Sequence, residues 1–221
     1  MSRSSDAPAE GDGFDTASFA ANSPRVAVLA SGRGSNFGAL AAAFAAGEIP
    51  GSIELLVVDQ PEAGALHIAE KYRIPALYLE RKRRRSAFAR GLLRSLEAHR
   101  INYLFLAGFM RILGRSVVEA YWGRILNIHP SLLPDFPGLE PHTQALAVGA
   151  KESGCSVHFV DFGVDTGPVI LQRRVPVEPD DDEASLAARI LEQEHIAYPE
   201  AARRVLSGEV RMGDLQDHEQ A

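Results

Sequence analysis

An alternation of short apolar runs with helix-forming segments begins at residue 25 and constrains the fold more than any other feature of the sequence. The run RVAVLA is followed by the glycine-rich turn SGRGSN and the alanine-rich segment FGALAAAFAAG. Further strand patterns occur in IELLVV, PALYL, NYLFLAGFM and RILNI, with helical patterns between them. Strands connected through helices favour a parallel sheet covered on both faces. We therefore predict an α/β fold with a Rossmann-like, open and mostly parallel sheet.

The pattern changes in the last third of the chain. CSVHFVDF alternates apolar with polar residues, and GPVILQRRVPV follows a glycine-rich turn, so we predict an antiparallel strand pair appended to the parallel sheet. Residues 180–208 carry acids at their start and arginines near their end, which predicts a long helix with a compensated dipole. We expect one domain over residues 24–213, a disordered tail over 1–23 and a flexible tail over 214–221.

Charge and cysteine content narrow the classes of function. The chain has 221 residues and a net charge of −6, so no overall positive field attracts nucleic acid or an anionic membrane. We interpret the basic run RKRRR, residues 81–85, as a solvated helix start. Cys155 is the sole cysteine and is predicted to be a small packed residue. The N-terminal stretch lacks a signal pattern and no segment is apolar enough to span a bilayer, so we expect a cytoplasmic protein.

The turn SGRGSN lies between the first strand and the first helix, where unpaired backbone N–H groups and the helix dipole favour an anion. It is not a dinucleotide fingerprint, because Gly34 is followed by Ser35 and Asn36 rather than by the pattern x-x-G. It is not a P-loop either, because no Gly-Lys-Ser/Thr follows. A phosphomonoester site and a plain tight turn both remain open.

The stretch RILNIHPSLLPDFPG places Asn127 and His129 at the end of a predicted strand, before three prolines. Ligands of open α/β sheets bind beyond the carboxyl ends of the strands, and prolines stiffen such an exit. Downstream, DFGVDTGP contains Asp161 and Asp165. An aspartate beside the histidine would orient the imidazole and favour its protonated form. The alternative is that Asp165 only supports a turn.

An amide, an imidazole and a carboxylate without a nucleophilic serine or cysteine fit direct acyl transfer. Asn127 would donate a hydrogen bond to an oxyanion, while His129 and Asp165 would relay the proton of an attacking amine. This chemistry requires no metal. His142 and His158 lack the spacing of metal ligands, and we interpret them as structural or supporting residues.

These motifs resemble the folate-dependent formyltransferases, and most closely the members that formylate glycinamide ribonucleotide in purine biosynthesis. The likeness extends from Arg25 to Met212 through VLASGRGSN, LAGFMRIL, LNIHPSLLPDFPG, SVHFVDFGVDTGPVILQ and EQEHIAYP, in the family's order. The resemblance implies the formyltransferase fold, two small-molecule substrates with 10-formyltetrahydrofolate as the formyl donor, and no metal. It implies neither a nucleic-acid nor a membrane partner, and it leaves monomer and homodimer open.

The resemblance also implies roles for individual residues. It makes Asn127, His129 and Asp165 the catalytic residues. It places phosphoribosylglycinamide on Gly34, Ser35, Asn36, Leu191, Glu192, Gln193 and Glu194. It places folate on Arg85, Met110, Arg111, Ile112, Leu113, Asn127, Asp161, Phe162, Gly163, Val164 and Asp165.

Two departures from the family's pattern keep alternatives open. Asp59 stands where the family usually shows Ser-Asn, and Glu140 replaces the first histidine of a His-x-His pattern. A formyltetrahydrofolate deformylase or an amino-sugar nucleotide formyltransferase would share the scaffold. A noncatalytic nucleotide-binding protein on the same scaffold is the alternative outside enzymes. A methionyl-tRNA formyltransferase is disfavoured, because it would need a tRNA-binding domain and a basic surface.

Overall fold

A seven-stranded sheet forms the centre of the computed structural model, which describes residues 23–80 and 84–216. The strands are β1 (Arg25–Ala30), β2 (Ser52–Val58), β3 (Ala76–Tyr78), β4 (Tyr103–Leu106), β5 (Ile125–His129), β6 (Glu152–Phe159) and β7 (Val169–Pro176). They lie in the order β3-β2-β1-β4-β5-β6-β7. Strands β1 to β5 pair in parallel, whereas β6 is antiparallel to β5 and β7 is antiparallel to β6. The predicted fold class is confirmed, including the antiparallel pair.

Helices cover both faces of the sheet. They are α1 (Ser35–Ala45), α2 (Ala65–Tyr72), α3 (Arg85–Ala98), α4 (Arg115–Ala120), α5 (Pro141–Ala147), α6 (Glu183–Leu206) and α7 (Met212–Gln216). Alternate residues of β1 point to opposite faces: Val26 and Val28 join a core that includes α1, α2 and α6, and Ala27 and Leu29 join a core that includes α3 and α4. None of the helices in the described parts of the chain is both long and apolar enough to cross a membrane.

Helix α6 is the predicted long helix, and its start and anchoring are well defined. The Asp182 carboxylate accepts from the Ser185 N–H at 2.8 Å and the Ser185 hydroxyl accepts from the Asp182 N–H at 3.0 Å, which forms a capping box. Tyr198 is fully buried, and its hydroxyl lies 3.0 Å from the carbonyl oxygen of Leu106 and 3.2 Å from that of Leu126. Helix α6 is therefore fastened to the last residue of β4 and to the start of β5.

Two short helices, α5 and α7, were not expected from the sequence. Helix α7 extends to Gln216, and Leu215 packs against the core, so the predicted start of a flexible tail at residue 214 falls inside this helix. The rest of that tail, residues 217–221, and residues 1–22 of the predicted N-terminal tail lie outside the described residues. Of the basic run, residues 81–83 also lie outside them, and Arg84 and Arg85 are exposed at the start of α3.

The strand order creates a crevice at the carboxyl edge of the sheet. The chain leaves β1 towards β2 on one side and leaves β4 towards β5 on the other, so β1 and β4 flank a topological switch point. The loops after β1, β4 and β5 all emerge at this edge. They carry the turn SGRGSN, the segment AGFMRIL and the segment HPSLLPDFPG, which are the three motifs singled out in the sequence.

Candidate active site

Strand β5 presents Asn127 and His129 at its carboxyl end, and Asp165 approaches them from the loop between β6 and β7. One oxygen of Asp165, Oδ2, accepts a hydrogen bond from the Gly138 N–H at 2.9 Å and lies 3.3 Å from His129 Nδ1. The other oxygen, Oδ1, accepts from Asn127 Nδ2 at 3.3 Å. The structure thus brings together the three side chains predicted to be catalytic.

The environment of Asp165 keeps its carboxyl group ionised. Burial raises the pKa of this carboxyl, but hydrogen bonds from His158 and from the Gly138 N–H, together with the charges of His129 and His158, outweigh burial. Its pKa therefore lies below the ordinary value for aspartate. Asp165 has a φ of 55°, in the left-handed region that aspartate tolerates better than most residues.

His129 is buried and held at both of its ring nitrogens. Nε2 lies 2.9 Å from the carbonyl oxygen of Phe136, and Nδ1 faces the Asp165 carboxylate. Both neighbours are acceptors, so a ring with a proton on each nitrogen donates a hydrogen bond to each. This arrangement fixes the plane of the imidazole.

His158 belongs to the same cluster, although sequence reasoning gave it only a structural or supporting place. It lies opposite Asn127 in the β5–β6 pairing. Its Nδ1 donates to the carbonyl oxygen of Phe159 at 2.7 Å, and its Nε2 lies 3.1 Å from Asn127 Nδ2 and 3.5 Å from Asp165 Oδ1. His158 therefore fixes the orientation of the Asn127 amide. The contact between His158 and Asn127 follows from the register of β5 with β6, which cannot be read from the sequence.

Hydrogen bonds to side chains of β6 and β7 anchor the proline-rich loop after β5. The Ser156 hydroxyl donates to the carbonyl oxygen of Ser131 at 2.7 Å and accepts from the Leu133 N–H at 3.0 Å. Gln172 Nε2 donates to the carbonyl oxygen of Leu133 at 2.8 Å. The loop contains a cis peptide bond between Leu133 and Pro134. These bonds hold in place the backbone carbonyl and N–H groups that contact His129 and Asp165.

The turn SGRGSN forms the opposite wall of the crevice. Gly34 has a φ of 79°, and a Cβ there would lie 2.7 Å from the Cα of Ala65, so glycine is required. Asn36 is buried at the start of α1, and its Nδ2 donates to Glu194 Oε2 at 2.8 Å. Burial raises the pKa of the Glu194 carboxyl, an effect that the bond from Asn36 partly offsets. Asn36 Oδ1 is buried and has no hydrogen-bond partner among the described residues.

The four predicted residues of α6 are not equivalent. Glu194 is buried and meets Asn36, whereas Glu192 is exposed and Leu191 and Gln193 are half-buried. Cys155 lies fully buried on β6, as predicted for a packed residue. Burial, with a smaller contribution from the charge of Glu194, raises the pKa of its thiol to about 12.

The loop after β4 supplies one wall of the predicted folate cleft. Met110 and Ile112 are 60% and 58% exposed, which is unusual for large apolar side chains, whereas Leu113 is buried. The Met110 N–H donates to the Ser31 hydroxyl at 2.9 Å, which ties this loop to the turn SGRGSN. The Arg111 guanidinium lies 4.2 Å from the ring centre of Phe88 on α3.

The loop of residues 161–165 supplies the facing wall. Asp161 Oδ1 accepts from the Gly163 N–H at 2.9 Å and from the Thr166 hydroxyl at 2.7 Å, so the loop is closed by its own bonds. Phe162 and Val164 are 50% and 47% exposed. Arg85 lies near this cleft as well, because its side chain packs beside Gly114, just after the first wall.

The two departures from the family's pattern occupy different environments. Asp59 is fully buried at the end of β2, and the residues after it, 60–64, line a cavity of about 370 Å³ against residues 31–33. Glu140 is exposed, with a φ of 55°, immediately before α5. Within residues 23–80 and 84–216, no three His, Cys, Asp or Glu side chains are grouped as metal ligands would be.

Comparison with known proteins places the chain in a family. The sequence profile described as "Formyl transferase" matches residues 24–202. Phosphoribosylglycinamide formyltransferase of Bacillus subtilis (strain 168) is 39% identical over 184 residues, which are 82% of this chain and 94% of that protein. The trifunctional purine biosynthetic protein adenosine-3 of Drosophila melanogaster is 47% identical over 188 residues, which are 83% of this chain but 14% of that protein. This chain therefore spans about a seventh of the trifunctional relative.

A solved structure agrees with these matches. The crystal structure of glycinamide ribonucleotide transformylase 1 from Symbiobacterium toebii superposes with a TM-score of 0.82 and 43% sequence identity, over 84% of this chain and 88% of that chain. The chain belongs to the formyl transferase family.

Proposed function

We propose that this protein transfers the formyl group of 10-formyltetrahydrofolate to the amine of glycinamide ribonucleotide, a step of purine biosynthesis. The observation that carries the proposal is the Asp165 carboxylate, which contacts both His129 and Asn127 at the carboxyl end of β5. Relatives of nearly the same length are named for this activity, which favours this acceptor over an amino-sugar nucleotide.

Asn127 stabilises the negative charge that develops when the amine attacks the formyl carbon. Its Nδ2 carries two hydrogens and is oriented by His158 Nε2 at 3.1 Å. The hydrogen bond from Asn127 to Asp165 is long, at 3.3 Å, so Asn127 can donate to the formyl oxygen instead at little cost in free energy. A pre-oriented donor to an oxyanion contributes about 3–4 kcal/mol in other enzymes.

His129 and Asp165 relay the proton that the attacking amine loses. The reaction forms a bond from the formyl carbon to the amine nitrogen and breaks the bond to the folate nitrogen. The amine loses one proton and the folate nitrogen gains one, so no net proton is consumed. The protonated imidazole of His129 is stabilised by Asp165 on one side and by the Phe136 carbonyl on the other. Proton transfer by a positioned side chain contributes about 10²- to 10⁴-fold in rate.

The acceptor site is built from the start of α1 and from α6. The backbone N–H groups of Gly34, Ser35 and Asn36 bind the phosphate at the positive end of the helix dipole. Glu194 binds the glycinamide amine, and the Asn36 Oδ1 atom, which lacks a partner among the described residues, accepts from a ligand hydroxyl or amine. The exposed ends of residues 191–193 approach the ribose.

The donor site lies on the other side of Asn127. Residues 110–113 and 161–165 enclose the pterin between exposed apolar side chains and backbone groups. Arg85 and Arg111, which both flank this cleft, bind the anionic end of the folate. The reacting formyl group then lies between the two sites, within reach of Asn127 and His129.

The test is to incubate the purified protein with 10-formyltetrahydrofolate and to follow deformylated folate and formylated product by mass spectrometry. Parallel reactions contain glycinamide ribonucleotide, an amino-sugar nucleotide or no acceptor. We expect formyl transfer that depends on glycinamide ribonucleotide. Release of the folate without an acceptor would instead identify a deformylase, and the absence of both products would overturn the proposal.

A further inference from the structure

An aromatic contact on the surface joins the loop of residues 161–165 to α4, the helix that follows residues 110–113. The ring of Phe162, in the loop after β6, stacks on Trp122, which follows α4, with ring centres 5.1 Å apart and planes inclined by 24°. The Arg115 guanidinium, at the first residue of α4, lies 4.5 Å from the centre of the same Phe162 ring. We call Arg115, Trp122 and Phe162 the aromatic clamp.

The aromatic clamp is not part of either hydrophobic core. Trp122 and Phe162 remain 43% and 50% exposed, and neither packs into the two buried clusters that hold the helices on the sheet. Exposed aromatic side chains of this size are usually kept for contacts outside the core. Stability of the fold therefore does not account for the clamp.

The position of the clamp in the chain gives it a role in the cleft. Phe162 belongs to the loop that ends in Asp165. Asp161 closes this loop onto Gly163 and Thr166, and Asp165 ties its other end to Gly138 and Asn127. Arg115 begins the helix that directly follows residues 110–113 of the facing wall. It is also held by Glu119 at 2.7 Å, one helical turn away. The clamp thus links the loop of residues 161–165 to the helix that continues from residues 110–113.

We propose that the aromatic clamp sets the separation of residues 110–113 and 161–165, and with it the fit of the formyl-folate donor and the placement of Asp165. Arg115 and Trp122 are positioning residues, because they act through Phe162 and its loop and not on the reacting atoms. This inference rests on the proposed function. It predicts a specific effect on the donor site, since the acceptor site is built from α1 and α6 and has no described contact with the clamp.

The test compares Phe162→Ala, Trp122→Ala and Phe162→Tyr in steady-state kinetics with both substrates varied. Phe162→Ala and Trp122→Ala should raise the KM for 10-formyltetrahydrofolate roughly three- to tenfold, in line with the loss of one aromatic pair. The KM for glycinamide ribonucleotide should change less than about twofold. Phe162→Tyr keeps the ring and should restore the wild-type values. In the double variant Phe162→Ala/Trp122→Ala, the KM for 10-formyltetrahydrofolate should not exceed that of the more impaired single variant, because both substitutions remove the same contact.

Two controls separate the clamp from general damage. Lys71→Ala removes another cation beside an aromatic ring, that of Tyr72 on α2, at a distance of 5.2 Å. It should leave both KM values unchanged, and all variants should keep the thermal unfolding midpoint within a few degrees of wild type. Equal changes in the KM values of both substrates, or additive effects in the double variant, would refute the clamp.

Direct binding distinguishes failure of the clamp from failure of the proposed function. The dissociation constant of 10-formyltetrahydrofolate is measured by calorimetry for the wild-type protein and for Phe162→Ala. If the wild-type protein binds the folate without transferring the formyl group, the proposed function fails, and weaker binding by Phe162→Ala still supports the clamp. If folate binds to both proteins equally, or to neither, the clamp is refuted.

Discussion

Replacement of Asp165 by asparagine tests the centre of the proposed mechanism with little change in shape. Asparagine tolerates a φ of 55° about as well as aspartate, so the backbone keeps its conformation, whereas alanine would add strain. One carboxylate oxygen accepts from the Gly138 N–H and faces His129 Nδ1, and the other accepts from Asn127 Nδ2. An asparagine has one acceptor oxygen, so its NH₂ group must face one of these two sets of donors.

The size of the effect follows from that mismatch. A buried donor left without an acceptor costs about 1–3 kcal/mol, so the free energy of unfolding should fall by about this amount. Catalysis should suffer more, because the negative charge beside His129 is lost from a site that is only 12% exposed at Asp165. We expect kcat to fall by about 10²- to 10⁴-fold, the usual contribution of positioned acid–base groups.

The pH dependence supplies a second readout. The pKa of Asp165 is lower in the folded protein than in the unfolded chain, where it is about 3.9. The ionised carboxylate therefore stabilises the fold above that pH, and this stabilisation is lost as the pH falls through the folded-state pKa. The stability difference between wild type and Asp165→Asn should shrink below about pH 4 in urea titrations, because asparagine does not titrate.

The reasoning would be refuted by a particular combination of results. If Asp165→Asn loses the expected stability but retains kcat within about threefold of wild type, Asp165 only supports its turn, the alternative that the sequence left open. If the stability difference does not change between pH 3 and pH 6, ionisation of the Asp165 carboxyl does not stabilise the fold.

Three further substitutions probe other parts of the site. His129→Ala should lower kcat at least about a hundredfold and leave the affinity for a phosphate ligand nearly unchanged in calorimetry. The control His67→Ala, at an exposed histidine of α2, should change neither kcat nor that affinity. Glu194→Gln should raise the KM for glycinamide ribonucleotide and yet stabilise the protein in thermal melts at pH 8 but not at pH 4. Burial raises the pKa of Glu194, so its ionisation lowers stability as the pH rises from the ordinary glutamate pKa to the raised one. Gly167→Ala should lower the free energy of unfolding by about 1–3 kcal/mol in urea, because a Cβ there would overlap a backbone carbonyl oxygen of β6, while Gly213→Ala, with open space around it, should not.

The sheet and the position of Asn127 and His129 at one of its edges could be predicted because their signals are local. Apolar runs bounded by glycines and helix formers define parallel strands, and parallel strands bring their carboxyl ends to one edge. Asn127 and His129 end one such strand, so their place in the crevice follows from the fold. Asp165 could be proposed because it stands in a glycine-rich turn, although its contacts depend on tertiary structure.

The features that escaped prediction depend on pairing or on short segments. His158 reaches Asn127 through the register of β5 with β6, and a one-residue slip would turn it to the other face. Helix α5 has seven residues, too few to show a helical period. Phe162 and Trp122 meet only because α4 and the loop after β6 fold against each other, and neither has a recognisable pattern around it.

The buried Tyr198 determines which parts of the protein open together in local unfolding. Its hydroxyl is bonded to the strands that end beside Asn127, and Glu194 lies one turn earlier on the same face of α6. Any local opening that withdraws this part of α6 must break the Tyr198 bond and remove Glu194 in the same event. An opening that displaces Glu194 therefore also disturbs the strand that presents Asn127, so these two parts of the crevice lose their structure together.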